Sequence, residues 1–337
     1  MTGVIAGNVR SIALQTLVTV LIAGDRRDKA NGLVGTTMGV SFLVTSVISG
    51  LLVAAGDMFY VLILAMGVLL VAAVHLSSVT VPDRPPAADG SAGEEPGPTT
   101  TGGNRVDLRG TLRLVRGVPG LLALILFSCF NNFLGGAFMA LMDAYGLSLM
   151  SVQAWGLLWG ALSTGFIVGG LAVAKTGLTT NPLRLLLLIN LVLWTVTCLF
   201  PLRSSIVFLT VGMAVYMLLI PYAEAAEQTI LQRVVPYERQ GRVFGFAQSV
   251  EQAASPLTAF LIGPLTQLVF IPYMTSGGGV ELIGGWFGTG PARGIALVFV
   301  LTGIAGLIVT SLALLSKYYR QLTGRYTESL VEPVHAG

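Results

Sequence analysis

Apolar residues run along this chain in long, nearly unbroken blocks separated by short polar or basic stretches. Eight blocks lie at about residues 32–55, 57–79, 118–141, 152–174, 182–200, 204–227, 243–271 and 294–316. Each is close to or above the roughly 20 residues that carry an α-helix across a bilayer. The period-two alternation of a membrane barrel strand is missing from them. A ninth block, Ile5 to Ala23, is interrupted by Asn8, Arg10 and Gln15 and reads as a partial span. The pattern predicts an all-α, polytopic membrane helical bundle of eight full transmembrane helices plus a partial N-terminal one. Residues 80–106 break the pattern with a run rich in Pro, Gly and Thr. Such a run lacks the apolar area to offset the entropy of ordering it. The chain therefore divides into residues 1–79, a linker region 80–117, a longer helical part 118–316 and a polar tail 317–337.

Composition excludes the soluble alternatives. Hydrophobic residues make up 54% of the 337 residues and charged ones 10%, with a mean hydropathy of +0.80. A soluble domain carries about 25% charged residues. A soluble enzyme, a nucleic-acid binder and a disordered scaffold are all disfavoured. Both cysteines, Cys129 and Cys198, sit inside apolar blocks, so no disulfide framework is implied.

Charge then sets the orientation. Arg26, Arg27 and Lys29 share one loop. Arg84, Arg105, Arg109, Arg113 and Arg116 lie in or after the linker. Lys175 and Arg184 flank the next alternate loop, Arg233, Arg239 and Arg242 another, and Lys317, Arg320 and Arg325 follow the last block. The opposite loops hold only Arg203 and Arg293, with Arg10 ambiguous. Basic loops face the cytoplasm, which predicts a multi-pass plasma-membrane protein with its central linker and C-terminus cytoplasmic. Within 107–116, Leu108, Leu112 and Val115 recur at helical spacing beside Arg109, Arg113 and Arg116, and Asp107 stands at the start as a cap. This is the pattern of a short amphipathic helix on the anionic inner leaflet; a solvated linker end is the plainer reading.

An internal repeat is visible at a constant offset of 213 residues. Gln15 and Thr16 meet Gln228 and Thr229. Asp25 and Arg26 meet Glu238 and Arg239, Lys29 meets Arg242, Gly32 meets Gly245, and Gly50 meets Gly263. Repeats of this size build many transporters. Carried through, the offset maps Arg116 to position −97. A symmetric protein would thus have about 100 further residues before Met1, and residues 1–15 would be the cytoplasmic end of a helix.

These features resemble the major facilitator superfamily, and within it the macrolide-efflux-like and enterobactin-exporter-like drug exporters of actinobacterial type. The resemblance rests on the six blocks after a central linker, on the repeated Gln-Thr…acidic-Arg loop, and on the P-x-E-R-x-G-R-x-F-G run from Pro236 to Gly245, followed by Pro256 and Gly263-Pro264. It implies that residues 1–79 are the end of helix four and helices five and six of a first six-helix half, and that 118–316 are helices seven to twelve. One family signature departs here. The loop between helices eight and nine usually carries G-x-x-x-D-R-x-G-R-R, which helps latch the cytoplasmic gate. This chain reads Gly170-Leu-Ala-Val-Ala174-Lys175-Thr-Gly177, with alanine at the acidic position. The resemblance implies secondary active export of a hydrophobic or amphiphilic small molecule by alternating access. A truncated, inactive or partner-dependent fragment, or a non-transporting scaffold or sensor, is the alternative.

No covalent chemistry is visible, so no enzymatic activity is expected. His75 and His335 share no metal-ligand spacing, and no GxxxxGK[ST] loop is present. No cofactor, metal, nucleotide or nucleic acid is implied; a proton gradient is the expected energy source. Charges at membrane depth are costly and mark functional sites. Glu224 and Glu227 are three apart near the end of one block, and Glu251 lies two turns into the next. Low dielectric disfavours the charged carboxylate, so each can exchange a proton as its surroundings alternate between wet and dry. The structural alternative pairs them with Arg233, Arg239 or Arg242. Asn131, Asn132, Gln248, Gln252, Phe130 and Trp159 are the candidates for lining a substrate cavity; helix–helix bonding or core packing is equally open to them. Gly156/Gly160 and Gly165/Gly169 read as two packing pairs. Lys175, Gly177, Arg239, Gly241, Arg242, Asp25 and Arg26 are the candidates for a cytoplasmic gate.

Overall fold

The structure, a computed structural model, describes residues 13–55, 58–78 and 108–331. The linker 80–106, Arg10 and His335 lie outside the described residues. Everything described is helix or short connection. Residues 13–21 (α1) end at a short 3-10 turn, Gly24–Arg26, from which α2 (Arg27–Ala55) starts. Then come α3 (Met58–Ser77), α4 (Leu108–Gly117), α5 (Leu121–Leu147), α6 (Val152–Thr176), α7 (Pro182–Leu199), α8 (Ile206–Val234) and α9 (Tyr237–Leu265). A wide helical turn, Thr266–Phe270, extends α9 to Thr275; two single-turn helices, Gly278–Leu282 and Gly284–Phe287, follow. α10 (Pro291–Leu315) and α11 (Lys317–Val331) close the chain.

The starts and stops follow local chemistry. Ser151 caps α6 by accepting from Ala154 N at 3.3 Å. Asn181 caps α7 by accepting from Arg184 N at 2.9 Å, with Pro182 in the first turn, where a missing N–H costs nothing. Gly120 turns α4 into α5 at φ +82°, and Gly177 ends α6 at φ +74°, conformations that a Cβ disfavours.

Among the described residues, seven helices are long and apolar enough to cross a membrane: α3 and α5 to α10. This is a multi-pass, all-α membrane bundle. α2, 29 residues long, is not in that count. Two further expectations change. α8 runs seven residues past its apolar block, and α9 begins six residues before its own. The polar tail is also in large part a helix, α11.

The bundle is built from α5 to α10. α5 packs on α9 and α10, α6 on α8, and α7 on α8 and α10. One core cluster, with Leu124, Leu186, Ile230, Phe244 and Leu322, lies toward the end of the basic loops. A second, with Tyr145, Phe200, Met213 and Phe299, lies toward the other. α4 sets Val115 fully buried in the first cluster, with Arg109, Arg113 and Arg116 exposed. Its apolar side thus rests on protein, beside α9. α3 packs on α2 and is otherwise open along its apolar length.

α2 lies antiparallel along α6 through a seam of small residues. A Cβ at Gly32 would lie 2.6 Å from Ala174 N, one at Gly39 2.7 Å from Phe166 Cβ, and one at Gly170 2.5 Å from Thr36 N. Such backbone proximity is the usual reason for glycine at membrane-helix contacts. Gly165 joins the neighbouring α6–α8 contact, its Cβ position 3.1 Å from Met217 Cβ, and Gly169 does the same against Leu218. Gly156 and Gly160 do not act as a packing pair: no described atom lies within 4 Å of a Cβ at either.

Candidate functional site

The three membrane-depth carboxyls lie where α5, α8 and α9 meet. Ser128, buried on α5, donates its hydroxyl hydrogen bond to Glu227 Oε1 on α8. The Glu251 carboxyl on α9, 9% exposed, lies close enough to that of Glu227 for the two to interact. Two carboxyls can share a hydrogen bond only when one carries a proton, because an ionised carboxylate has acceptors alone. The Ser128–Glu227–Glu251 set is therefore a place where two carboxyls could share a proton. Glu224 is exposed, one turn away on α8, close enough to interact with the charges of Glu227 and Tyr216. No ion pair between these carboxyls and an arginine occurs among the described residues. Arg239 and Arg242 are exposed, and Arg233 donates to Gly24 O at 3.4 Å.

The other membrane candidates are placed as follows. Asn131 accepts from Trp194 Nε1 on α7 at 3.0 Å, and Asn132 donates to Ser128 O at 3.1 Å within α5. Both amides are thereby engaged in holding helices. Gln248 is half-buried and Gln252 exposed on α9, the latter next to Glu251. Phe130 stacks on Phe133 with centroids 6.4 Å apart. Trp159 meets Trp155 edge-on at 5.8 Å and Phe42 of α2 at 6.2 Å, so it bridges the two parts of the chain.

At the basic end, a polar clasp joins α1 and α2 to α8. Asn31, buried on α2, donates through Nδ2 to Thr229 Oγ1 at 3.1 Å and to Gln232 Oε1 at 3.0 Å. Gln232 Nε2 donates to Gln15 O at 3.2 Å. Arg27 donates to Thr19 O at 3.1 Å, to Ile22 O at 3.3 Å and across to Gln232 O at 3.2 Å. Of the loop residues expected to gate, Asp25 and Arg26 form an exposed 4.0 Å pair. Lys175 is exposed, and Gly241 has nothing described within 4 Å of a Cβ position. Gly177 sits against Asp28. The clasp residues Arg27, Asn31, Thr229 and Gln232 were not singled out in the sequence. Their signal was the repeat itself: the offset of 213 pairs Arg27 with Gln240, Thr19 with Gln232 and Ile22 with Val235. Gln240 donates to Gln232 O and Val235 O, both at 3.1 Å. Arg27 and Gln240 thus cap equivalent carbonyls at the ends of α1 and α8.

A family profile described as the Major Facilitator Superfamily matches residues 2–259. The chain belongs to the major facilitator superfamily. No curated protein matches it.

Membership in the major facilitator superfamily makes this a transport protein rather than an enzyme, with the fold of a secondary active transporter. The matched region takes in α1 and α2, the linker and all of α4 to α8, and ends inside α9, so it spans both the clasp and the carboxyl cluster. Among the described residues, no group of three or more His, Cys, Asp or Glu is arranged to hold a metal ion.

Proposed function

We propose that this major facilitator exports a hydrophobic or amphiphilic small molecule in exchange for protons, by alternating access. The observation that carries the reading is the meeting of the carboxyls of Glu227 and Glu251 between α8 and α9, with Ser128 donating to Glu227. A protonated pair is stable where water is excluded; solvating it from one side releases the proton, because the charged form is then no longer penalised. α8 and α9 carry the pair, and α8 also carries the clasp, so opening and closing the basic end changes the pair's surroundings. In this reading the basic end is cytoplasmic, in the plasma membrane, and α2 is an eighth span beside the seven. Residues 1–79 belong to the first six-helix half, 80–117 to the linker, 118–316 to the second half and 317–337 to a cytoplasmic tail. Gln248, Gln252, Phe130, Trp159 and the exposed Glu224 are the proposed substrate-facing residues.

The test uses proteoliposomes with an acidic lumen and two probes, a neutral macrolide and an amphiphilic dye. The imposed gradient drives accumulation of at least one probe in the wild-type chain. Glu251→Gln, which keeps the hydrogen-bonding shape without an exchangeable acid proton, transports it with no dependence on the gradient. Flux by the wild type that ignores the gradient overturns proton exchange. Retained gradient dependence in Glu251→Gln overturns the assignment to this pair.

A further inference from the structure

Just before the turn that follows α6, the chain has alanine at position 174, where the resemblance calls for an acidic residue. A carboxylate reaches this turn nonetheless, from the other part of the chain. Asp28 in the first turn of α2 accepts from the backbone N–H of Leu178 at 2.8 Å through Oδ2, and from Lys29 N at 2.7 Å through Oδ1. Gly177 makes room for it: a Cβ there would lie 2.7 Å from Asp28 Oδ2. The backbone of Ala174 lies under Gly32 in the α2–α6 seam.

We propose that closure of the basic end is fastened by a latch of inverted polarity, in which Asp28 of α2 supplies the carboxylate and the α6–α7 turn supplies the N–H. The inference deepens the transport reading above and rests on it for the name of the gate. The bond spans 150 positions of sequence and exists only while the start of α2 lies on the end of α6. When the two helices part, Leu178 N–H passes to water, whereas the bond from Lys29 N is local and travels with α2. The latch therefore favours the closed arrangement selectively. An acceptor that is ionised makes this a charge-assisted bond. The same carboxylate also stands at the start of α2, where the helix dipole attracts negative charge. Asp28 is a positioning residue: it touches no substrate, and it biases which side of the protein is open.

The experiment reads conformation and not transport, so its failure and that of the transport reading are distinguishable. Spin labels are placed at R26C and T179C in the full chain in lipid nanodiscs, with Cys129 and Cys198 replaced by alanine. Their separation is measured by double electron–electron resonance. Removing Asp28 with D28A is expected to raise the ratio of long to short distances about tenfold, the loss of one charge-assisted bond. D28E is expected to restore the short distance, and E328A, which removes an exposed carboxylate elsewhere, to leave it unchanged. G177A is a second variant with Asp28 intact. Its methyl group displaces the carboxylate and should open the seam similarly, which keeps the proposal testable if D28A folds poorly. An unchanged distribution in D28A or, where D28A does not fold, in G177A overturns the latch. So does equal opening in E328A, or no recovery in D28E.

Discussion

The two copies of the repeated loop make the same local cap and then diverge. In the first, Arg27 closes the carbonyls of Thr19 and Ile22; in the second, Gln240 closes those of Gln232 and Val235. Beyond the cap, the first copy turns outward. Arg27 has reach to spare and takes Gln232 O as well. Four residues on, Asn31 enters the contact with α8, while its repeat counterpart Phe244 is fully buried in the bundle core. The comparison shows how one ancestral motif serves two ends: a neutral, apolar version stabilises a half from within, and a charged, amide-bearing version fastens two parts to each other. Buried polar groups are expensive unless matched, so the amide version is suited to a contact that must form in one arrangement and be rehydrated in another.

The largest effect is expected from the seam glycines, because there the comparison is steric. Gly32→Leu forces a side chain into the backbone of Ala174. Overpacking of this kind costs typically about 1–3 kcal/mol; here it should instead part α2 from α6, seen as rapid amide exchange through residues 32–39. The glycine of the second loop gives the contrast. Gly241, with open space around it, should accept alanine and gain up to about 1 kcal/mol of helix propensity, read as a higher melting temperature. Equal responses at Gly32 and Gly241 would show that the α2–α6 seam is no tighter than the open start of α9.

Next in size is the clasp amide. Gln232→Leu takes from the buried Asn31 one of its two acceptors, leaving Thr229 Oγ1. An unsatisfied buried polar group costs about 1–3 kcal/mol, so thermal stability in detergent should fall. The double variant Asn31→Leu/Gln232→Leu removes the two paired amides together. It should recover most of that loss while locking the basic end shut, measured as loss of exchange between arrangements. Additive destabilisation in the double variant would mean that the two amides do not act as a pair.

The helices were legible in the sequence because lipid imposes a length and a composition on each span. What was not legible has specific causes. α8 and α9 run past their apolar blocks because Gln228 to Arg233 and Tyr237 to Arg242 belong to the clasp end, where polarity is required and hydropathy ceases to report helix. α11 was missed for a related reason: its stripe of Tyr319, Leu322 and Tyr326 is short and set among charged residues, yet Leu322 is 2% exposed. At the site, depth alone singled out Glu227 and Glu251, but not Ser128, which lies 99 positions from Glu227 and is one of many serines in apolar blocks. Asn131 was equally open to cavity lining and to helix–helix bonding, because its donor Trp194 lies 63 positions away. Asp28 was overlooked because an acid in a first helical turn is ordinary on dipole grounds; only its distant partner distinguishes it.

The smallest expected effect bears most directly on the repeat. Arg27→Gln turns the first cap into a copy of the second. Glutamine at 240 spans both of its carbonyls with one amide nitrogen, so glutamine at 27 should still close Thr19 O or Ile22 O. It is too short to reach Gln232 O as well. The difference is then one bond to a carbonyl that Gln240 already satisfies from the other side. That is about 0.5–1.5 kcal/mol, the net worth of a typical hydrogen bond. Arg27→Ala strips the cap as well and should cost more than Arg27→Gln by a similar amount. Melting of the three proteins in nanodiscs, together with amide exchange at the end of α1, separates the two contributions. If Arg27→Gln and Arg27→Ala were equally destabilised, the local cap would contribute nothing and the likeness of the two loops would be one of sequence alone. If both matched the wild type, the reach across to Gln232 would carry no part of the closure, and the clasp would rest on Asn31.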